Sequence, residues 1–154
     1  MIFCLTDFKP EHALSIIARN NKKLPIPEEK LIQAYLSPGS FAFTLLCNSE
    51  AIVCGGIINL DWNNGEAWLL NSAEFHNYPK TAFEYTKAGL ALLAKQGKFK
   101  RVQAHSFLEH SNCVLLKHLG FTMEALCLKN FGPLGENVSL FAKIFPEVAN
   151  EHAT

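Results

Sequence analysis

The sequence lacks the features of a membrane or secreted protein. No apolar run in the 154 residues approaches the roughly 20 residues that a membrane-spanning helix needs. The N-terminal segment already contains Asp7 and Lys9 and does not have the layout of a signal peptide. We therefore expect a cytoplasmic protein with no membrane partner.

Paired cysteines and metal-ligand spacings are also missing. The five cysteines are scattered without a Cys-x-x-Cys pair, and most lie in apolar runs, which is typical of buried reduced thiols. His105 and His110 have no carboxylate or cysteine at a fixed ligand spacing, so we expect no metal site.

Net charge is absent as well, because 14 basic residues balance 14 acidic residues. A balanced chain has no global field to attract nucleic acid, so we expect no nucleic-acid partner. Hydrophobic residues at 49% and charged residues at 18% are the proportions of a folded protein. The length suits one domain, which we expect over residues 1–146, followed by a short polar tail over 147–154.

Hydrophobic periodicity predicts an α+β domain with a mixed sheet and about four helices, in the order β-α-α-β-β-β-α-β-α-β-β. Proline at a first helical turn and glycine, asparagine or Ser-Pro-Gly at an end mark the predicted helices. The helical segments are "PEHALSIIARNN", "PIPEEKLIQAYLSPGS", "YPKTAFEYTKAGLALLAKQGK" and a last helix from about Glu109 to Leu119.

Three glycine signals predict local backbone geometry. Asn64-Gly65 predicts a type I′ hairpin turn between the third and fourth strands, since that turn needs positive φ at both central residues. Gly55-Gly56 inside an apolar run indicates a bulge or a close backbone approach. Gly120 in "EHSNCVLLKHLGF" predicts a left-handed cap that ends the last helix.

The element order, together with "LLKHLGF" around the last helix, resembles the GNAT acetyltransferases over most of the chain. More narrowly, "EAWLLNS", "LKHLGF" and "NFGPLGENVSLFAKI" resemble GNAT-like proteins encoded by phages and prophages. Some relatives in that group are internal virion proteins. The resemblance therefore implies a GNAT-like fold, and it implies a virion location if the chain is phage-encoded.

The resemblance also implies acetyl-CoA as co-substrate and an amine as acceptor. In the family, the cofactor enters a V where the fourth strand splays from the strand after the long helix. Its pantetheine arm would pair with Ala67–Ser72, which contains Leu69, Leu70 and Asn71. Its pyrophosphate would meet the turn between His76 and Thr81, where the resemblance points to Asn77, Lys80 and Thr81. A helix N-terminus is a ready anion site, which agrees with this placement.

Two departures from the family pattern bear on activity. The turn region "EFHNYPKTAF" contains no glycine, although the family usually has glycines there. The frequent tyrosine that protonates the departing thiolate falls on Leu116, and the frequent asparagine falls on Glu109. Leucine cannot donate a proton.

Candidate catalytic residues are Glu66 and Asn112. An ammonium must lose its proton before it attacks a thioester, so a general base is needed. Glu66 shares a strand face with Trp68 and is the first candidate base, with Glu74 in reserve. Asn112 lies one turn after Glu109 and is the candidate replacement for the missing amide.

Two functions stay open from the sequence. One is an acetyl-CoA-dependent N-acetyltransferase acting on an unidentified primary amine, in which positioning and a strand amide near Leu70 assist the reaction. The alternative is a non-catalytic GNAT-like phage virion or host-interaction protein, because a fold does not imply a function. The acceptor is not readable, and a homodimer remains open.

Overall fold

The computed structural model describes residues 1–21, 24, 26–107 and 110–146, and the side chains of these residues except 107 and 110–112. The predicted tail over 147–154 and Glu109, on which the asparagine of the family falls, lie outside the described residues.

The observed order matches the predicted order, with one added 3-10 turn before the long helix. The strands are β1 Phe3–Asp7, β2 Phe41–Cys47, β3 Glu50–Asn59, β4 Asn64–Asn71, β5 Arg101–Phe107, β6 Thr122–Leu128 and β7 Val138–Ile144. The helices are α1 Pro10–Asn20, α2 Glu28–Tyr35, α3 Pro79–Gln96 and α4 His110–His118, and the 3-10 turn is Ala73–Asn77.

The strands form one seven-stranded sheet in the order β1-β2-β3-β4-β5-β7-β6. All neighbouring pairs are antiparallel except β4 and β5, which are parallel. The long helix α3 lies between β4 and β5 in the chain, as a parallel connection requires. The predicted α+β class with a mixed sheet is confirmed.

Two layers of helices cover the two faces of the sheet. The face under α3 and α4 holds the larger core, around fully buried residues such as Phe99, Val102 and Phe141. The face under α1 holds a smaller cluster of Ile16, Ala51 and Cys54. Side chains of one strand alternate between the two layers. The odd and even residues of β4 therefore face different helices.

Helix α1 begins and ends on local signals that the sequence predicts. Pro10 occupies the first turn, where a missing N–H costs nothing. The amide of Lys9 donates to Nδ1 of His12 at 3.2 Å, which satisfies one free donor of the helix start. Asn21 ends the helix in the left-handed region at φ 50°.

The predicted close approach at Gly55-Gly56 is confirmed. A Cβ on Gly55 would lie 2.8 Å from the Phe43 ring, and one on Gly56 would lie 2.8 Å from Nε1 of Trp68. Both glycines keep the regular β2–β3 register, whose irregularity falls at Leu45/Leu46 instead. The missing side chains therefore make room for aromatic rings on both faces of β3.

The predicted turn at Asn64-Gly65 is wrong by about three residues. The chain reverses at Asp61, Trp62 and Asn63, which all have positive φ. Gly65 is instead a strand residue paired with Asn59. A Cβ there would lie 2.2 Å from Cγ2 of Ile57, so this glycine is required by packing and not by a turn.

Gly120 ends α4 as predicted, with φ of 92°. The amide of Phe121 donates to the carbonyl of Leu116 and the amide of Gly120 donates to that of Lys117, both at 3.0 Å. This pair of bonds is the Schellman arrangement. Phe121 then folds back and is buried in the larger core.

The cysteine expectation holds in part. Cys47 and Cys54 are buried, but Cys4 and Cys127 are exposed. Cys127 lies on the edge strand β6 beside exposed Leu126, where the register against β7 is irregular and the in-out alternation breaks. Among the described residues, no helix is both long enough and apolar enough to cross a membrane.

Candidate active site

The parallel strands β4 and β5 pair over only three residues and then separate. Their ladder runs from Asn64↔Arg101 to Glu66↔Gln103, whereas β4 continues to Asn71 and β5 to Phe107. The sheet therefore has an opening in its middle. This is the V that the family resemblance implies.

Two hydrogen bonds show which β4 backbone groups face the opening. Leu60 N–H donates to Asn64 C=O, and Ser72 N–H donates to Ile52 C=O, both at 2.9 Å. The register between β3 and β4 is regular, so the even residues of β4 bond to β3 and the odd residues point the other way. The backbone groups of Leu69 and Asn71 thus face the V.

A cleft of about 520 Å³ passes through this opening and contacts both helical layers. From the larger-core side it is lined by Ala67, Leu69, Ala104, Leu115 and Leu116. From the α1–α2 side it is lined by Leu31, Tyr35, Ile58, Glu66, Trp68 and His105. A volume of this size is ordinary for a small-molecule site.

The chemistry-bearing pair in the cleft is Glu66 and His105. Nδ1 of His105 is hydrogen-bonded to Oε1 of Glu66, from neighbouring strands and on the same face of the sheet. The side chain of Glu66 is 30% exposed and that of His105 is 18% exposed, so the pair contacts the cleft without being open to bulk solvent. An ionised carboxylate only accepts hydrogen bonds. Nδ1 therefore carries the proton, and Nε2 of a neutral ring holds a lone pair.

His105 was missed as a partner of Glu66 because the two are 39 residues apart in the chain. The ring also stacks on Phe131 of the β6–β7 connection, with centroids 4.5 Å apart. A signal was available in the alternation of "RVQAHSF", which places His105 on the polar face of β5. The partner strand and its register were not readable.

An aromatic cluster forms the α1–α2 side of the cleft. The rings of Tyr35 and Trp68 are stacked with centroids 3.4 Å apart, and Phe8 meets Trp68 edge-on at 5.7 Å. Burial, with a smaller contribution from Cys54, raises the pKa of Tyr35 well above its ordinary value. Tyr35 therefore stays a neutral phenol and is part of the wall.

The three strand residues predicted to bind the cofactor have different positions. Leu69 lines the cleft, and its backbone faces the V. Leu70 packs its side chain on the α1 side and its backbone belongs to the β3 ladder, so of the three predicted residues Leu69 and Asn71 have the backbone that faces the V. The backbone carbonyl of Asn71 already accepts a hydrogen bond from Nδ2 of Asn20 at 2.9 Å. The backbone N–H of Asn71 is therefore the group that can bond to a ligand.

The three predicted phosphate-turn residues lie at the junction of the 3-10 turn and α3. Asn77 is the last residue of the 3-10 turn, and Lys80 and Thr81 lie in the first turn of α3. Asn77 and Lys80 are exposed and Thr81 is half-buried. None of the three lines the 520 Å³ cleft. They form a separate surface at the helix start.

Leu116 lines the cleft at the position where the family has its acid. Asn112 lies in α4, but its side chain is outside the described part of the molecule. Glu74, the reserve base, is paired with Arg19 at 3.1 Å and is not among the cleft residues. The nearby Ser72 side chain and the Glu74 backbone, with a smaller contribution from Arg19, hold the pKa of Glu74 below its ordinary value.

Among the described residues, no group of three or more His, Cys, Asp or Glu side chains is arranged to hold a metal ion. Glu66 and His105 are the ionisable pair of the cleft, whose described lining also includes the hydroxyl side chains of Tyr35 and Ser106.

No protein-family model matches the chain, and a search of curated proteins finds no sequence match. Solved structures do match. An acetyltransferase of the GNAT family from Streptococcus pneumoniae is 14% identical with a TM-score of 0.66, covering 94% of this chain and 100% of that chain. A mutant spermidine N-acetyltransferase, SpeG, from Vibrio cholerae is 15% identical with a TM-score of 0.71, covering 97% of both chains.

A third match is RimL, a ribosomal alpha-N-protein acetyltransferase in complex with coenzyme A. It is 12% identical with a TM-score of 0.72, covering 93% of this chain and 94% of that chain. Identities this low establish the fold alone. The chain has the GNAT fold, over nearly the full length of proteins that carry N-acetyltransferase chemistry.

Proposed function

We propose that the protein is an acetyl-CoA-dependent N-acetyltransferase acting on a primary amine. The single observation that carries this proposal is the opening between β4 and β5, with the Glu66–His105 pair on its wall. The matches to acetyltransferase structures support the same reading through the fold.

The backbone of β4 fits a cofactor arm in the opening. The odd residues of β4 beyond the last β5 pair direct N–H and C=O groups into the V, so an extended amide-containing chain can bond there as a strand would. When bound, acetyl-CoA supplies the acetyl group as a reactive thioester. The amides of Leu69 and Asn71 are the donors that can polarise its carbonyl.

The Glu66–His105 pair fits the removal of a proton from the ammonium form of an amine. Nε2 of the neutral imidazole is the proton acceptor, and Glu66 holds the ring in that tautomer and stabilises the charged ring. In this proposal His105 is the base, and Glu66, the base candidate from the sequence, is its hydrogen-bond partner. Asn112 remains a candidate from the sequence.

The start of α3 suits the pyrophosphate because its first backbone N–H groups can donate hydrogen bonds and Lys80 adds a positive charge. The first helical N–H groups have no partner within a helix, and the dipole favours an anion there. Pro79 removes one of those amides, so Lys80 and Thr81 supply the donors.

Isothermal calorimetry and a melting scan with acetyl-CoA test the proposal. A ligand that binds only the folded state stabilises it by about 2.7 kcal/mol at 100 times its dissociation constant. Lys80→Glu should weaken binding, and Lys95→Glu at the other end of α3 is the charge-matched control. Absence of heat and of a melting shift at millimolar acetyl-CoA overturns the proposal.

That negative result would favour the alternative, a GNAT-like phage virion or host-interaction protein without catalysis. Leu116 in the acid position is the specific observation on its side. The cytoplasmic or virion location belongs with these proposals, as does a homodimer. The edge strand β6, with Leu126 68% exposed, is the surface we would examine for a dimer contact.

A further inference from the structure

We propose that the acceptor is a monoamine with an aromatic body, such as an arylalkylamine. This inference rests on the proposed N-acetyltransferase function and specifies its substrate class. It depends on the α1–α2 side of the cleft, which is separate from the β4 backbone groups that would bind the cofactor arm.

Charge limits the acceptor to one ammonium. Glu66 is the one acidic residue among the described residues that line the cleft, and none of those residues is Lys or Arg. The carboxylate holds Nδ1 of His105, so the Glu66–His105 pair as a unit offers one negative charge to an ammonium whose proton passes to Nε2. A polyamine carries further ammonium groups, and each would need a carboxylate that these walls do not supply.

The surface beside Glu66 is apolar. Ile58 lies directly opposite Glu66 in the β3–β4 ladder, and Trp68 follows two residues along the same face. Leu31 and Ala34 of α2 complete this side of the cleft. An amine held at the Glu66–His105 pair would therefore lay its carbon body against an apolar surface.

The rings point to an aromatic body in particular. Tyr35 and Trp68 line the cleft as a stacked pair, in which Tyr35 is buried and Trp68 half-buried, and Phe131 is 57% exposed although it covers His105. Exposed apolar ring surface in a cleft is favourable to cover, and aromatic pairs gain further from edge or offset contacts.

Trp68 has no hydrogen-bonding reason to be a tryptophan. Its Nε1 is buried and has no hydrogen-bond partner among the described residues, which is a cost to stability. Gly56 opposite it lacks a side chain, and the Nε1–Cε2 edge of the indole occupies the space that a Cβ would fill. The indole therefore contributes apolar ring surface to the cleft wall without a polar contact of its own.

The activity test measures kcat/KM by thiol release from acetyl-CoA with 2-phenylethylamine, ethanolamine and spermidine. We expect 2-phenylethylamine to be preferred at least 10-fold, since even one methylene in an apolar pocket is worth about 10–200-fold. Trp68→Ala should reduce that preference, and Trp62→Ala should not, because Trp62 is 87% exposed and outside the cleft. Ala34→Glu should shift the preference toward spermidine.

A binding test is independent of catalysis. The chain has two tryptophans, so Trp62→Phe leaves Trp68 as the single indole reporter. 2-Phenylethylamine should change its fluorescence saturably, and ethanolamine and spermidine should not do so at equal concentration and ionic strength. If Trp68→Ala fails to fold, the Ala34→Glu variant still tests the substrate preference, because it adds a carboxylate to the cleft and removes no ring.

The outcomes separate the two proposals. Acetyl-CoA binding with equal use of all amines, or with spermidine preferred, overturns the aromatic acceptor and leaves the acetyltransferase. Selective binding of 2-phenylethylamine without any acetyl-CoA binding supports the aromatic site and overturns the acetyltransferase. Failure of 2-phenylethylamine to bind in the fluorescence titration overturns the aromatic site whatever the cofactor does.

Discussion

Nδ1 of His105 on β5 is hydrogen-bonded to Oε1 of Glu66 on β4, at the point where the two strands stop pairing. The last ladder pair joins Glu66 to Gln103, and His105 follows two residues later on the same face. The divergence of the strands thus exposes the pair to the cleft while the last ladder bonds hold both backbones in place.

The first prediction concerns this pair. Glu66→Gln and His105→Asn should each lower kcat/KM about 10²-fold or more, because general-base help is typically worth 10²–10⁴-fold. The loss should be largest at lower pH, where more of the amine is protonated. The double variant should be little worse than the poorer single variant, since residues that act as a unit are not additive.

His118→Asn is the control for these three variants, since His118 is exposed and outside the cleft. Losses that multiply in the double variant would show that Glu66 and His105 act separately. An unchanged rate in both single variants would place the base elsewhere.

A second prediction follows from Leu116 in the cleft. The resemblance places the thiolate-protonating residue at Leu116, which cannot donate a proton, so the unaltered protein should release thiol slowly, with a handicap on the order of 10²–10⁴-fold. Leu116→Tyr should speed thiol release if the phenol fits without overpacking. Leu116→Phe is the matched variant, with the ring and without the hydroxyl. Equal rates in the two variants would contradict a proton-donating role.

The third prediction concerns Gly120. Gly120→Val should destabilise the protein by about 1–2 kcal/mol, because a β-branched residue is strained at positive φ. The cost lies in the backbone, since the atom nearest a new Cβ is the flexible Lys143 Nζ at 3.1 Å. Gly120→Asn should cost less, as asparagine tolerates this region. Urea unfolding of the three proteins measures the difference, and equal midpoints for Val and Asn would contradict it.

The fourth prediction is a pH dependence of stability through His12. Burial lowers the pKa of His12, with Lys9 acting in the same direction and Glu11 against it. Nδ1 accepts from the Lys9 amide at 3.2 Å, so a proton on Nδ1 breaks that hydrogen bond, whereas the Thr44 hydroxyl at 2.8 Å can turn to accept from it. The unfolded chain therefore binds the proton more readily than the folded protein.

The sign follows directly from the lowered pKa. The contribution of His12 is complete above the ordinary pKa near 6.5 and is lost as the pH falls through the folded-state value. Unfolding free energies measured from neutral pH downward should decline, by about 1 kcal/mol for each hydrogen bond lost. His12→Gln should flatten the decline and His76→Gln should not. A decline of the same slope in His12→Gln would assign it to other groups.

The sequence by itself determined the element order, the fold class and the helix ends. Those features depend on neighbours a few residues apart: proline at a first turn, a left-handed Gly120 or Asn21 at an end, and apolar spacing along one face. The close approach at Gly55-Gly56 was readable for the same reason, because an apolar strand has little other use for two glycines.

Only the tertiary structure decided the site. Alternation shows that Glu66 and His105 each lie on a strand face, but it does not show which strands are neighbours or in which register. Gly65 looked like a turn residue because Asn-Gly favours one, and contact with Ile57 outweighed that preference. Leu69 and Leu70 are equivalent in the sequence. Only the pairing with β3 shows that the backbone of Leu70 bonds to β3 and the backbone of Leu69 faces the opening. Each of these depends on contacts between distant segments, which a local pattern of residues does not specify.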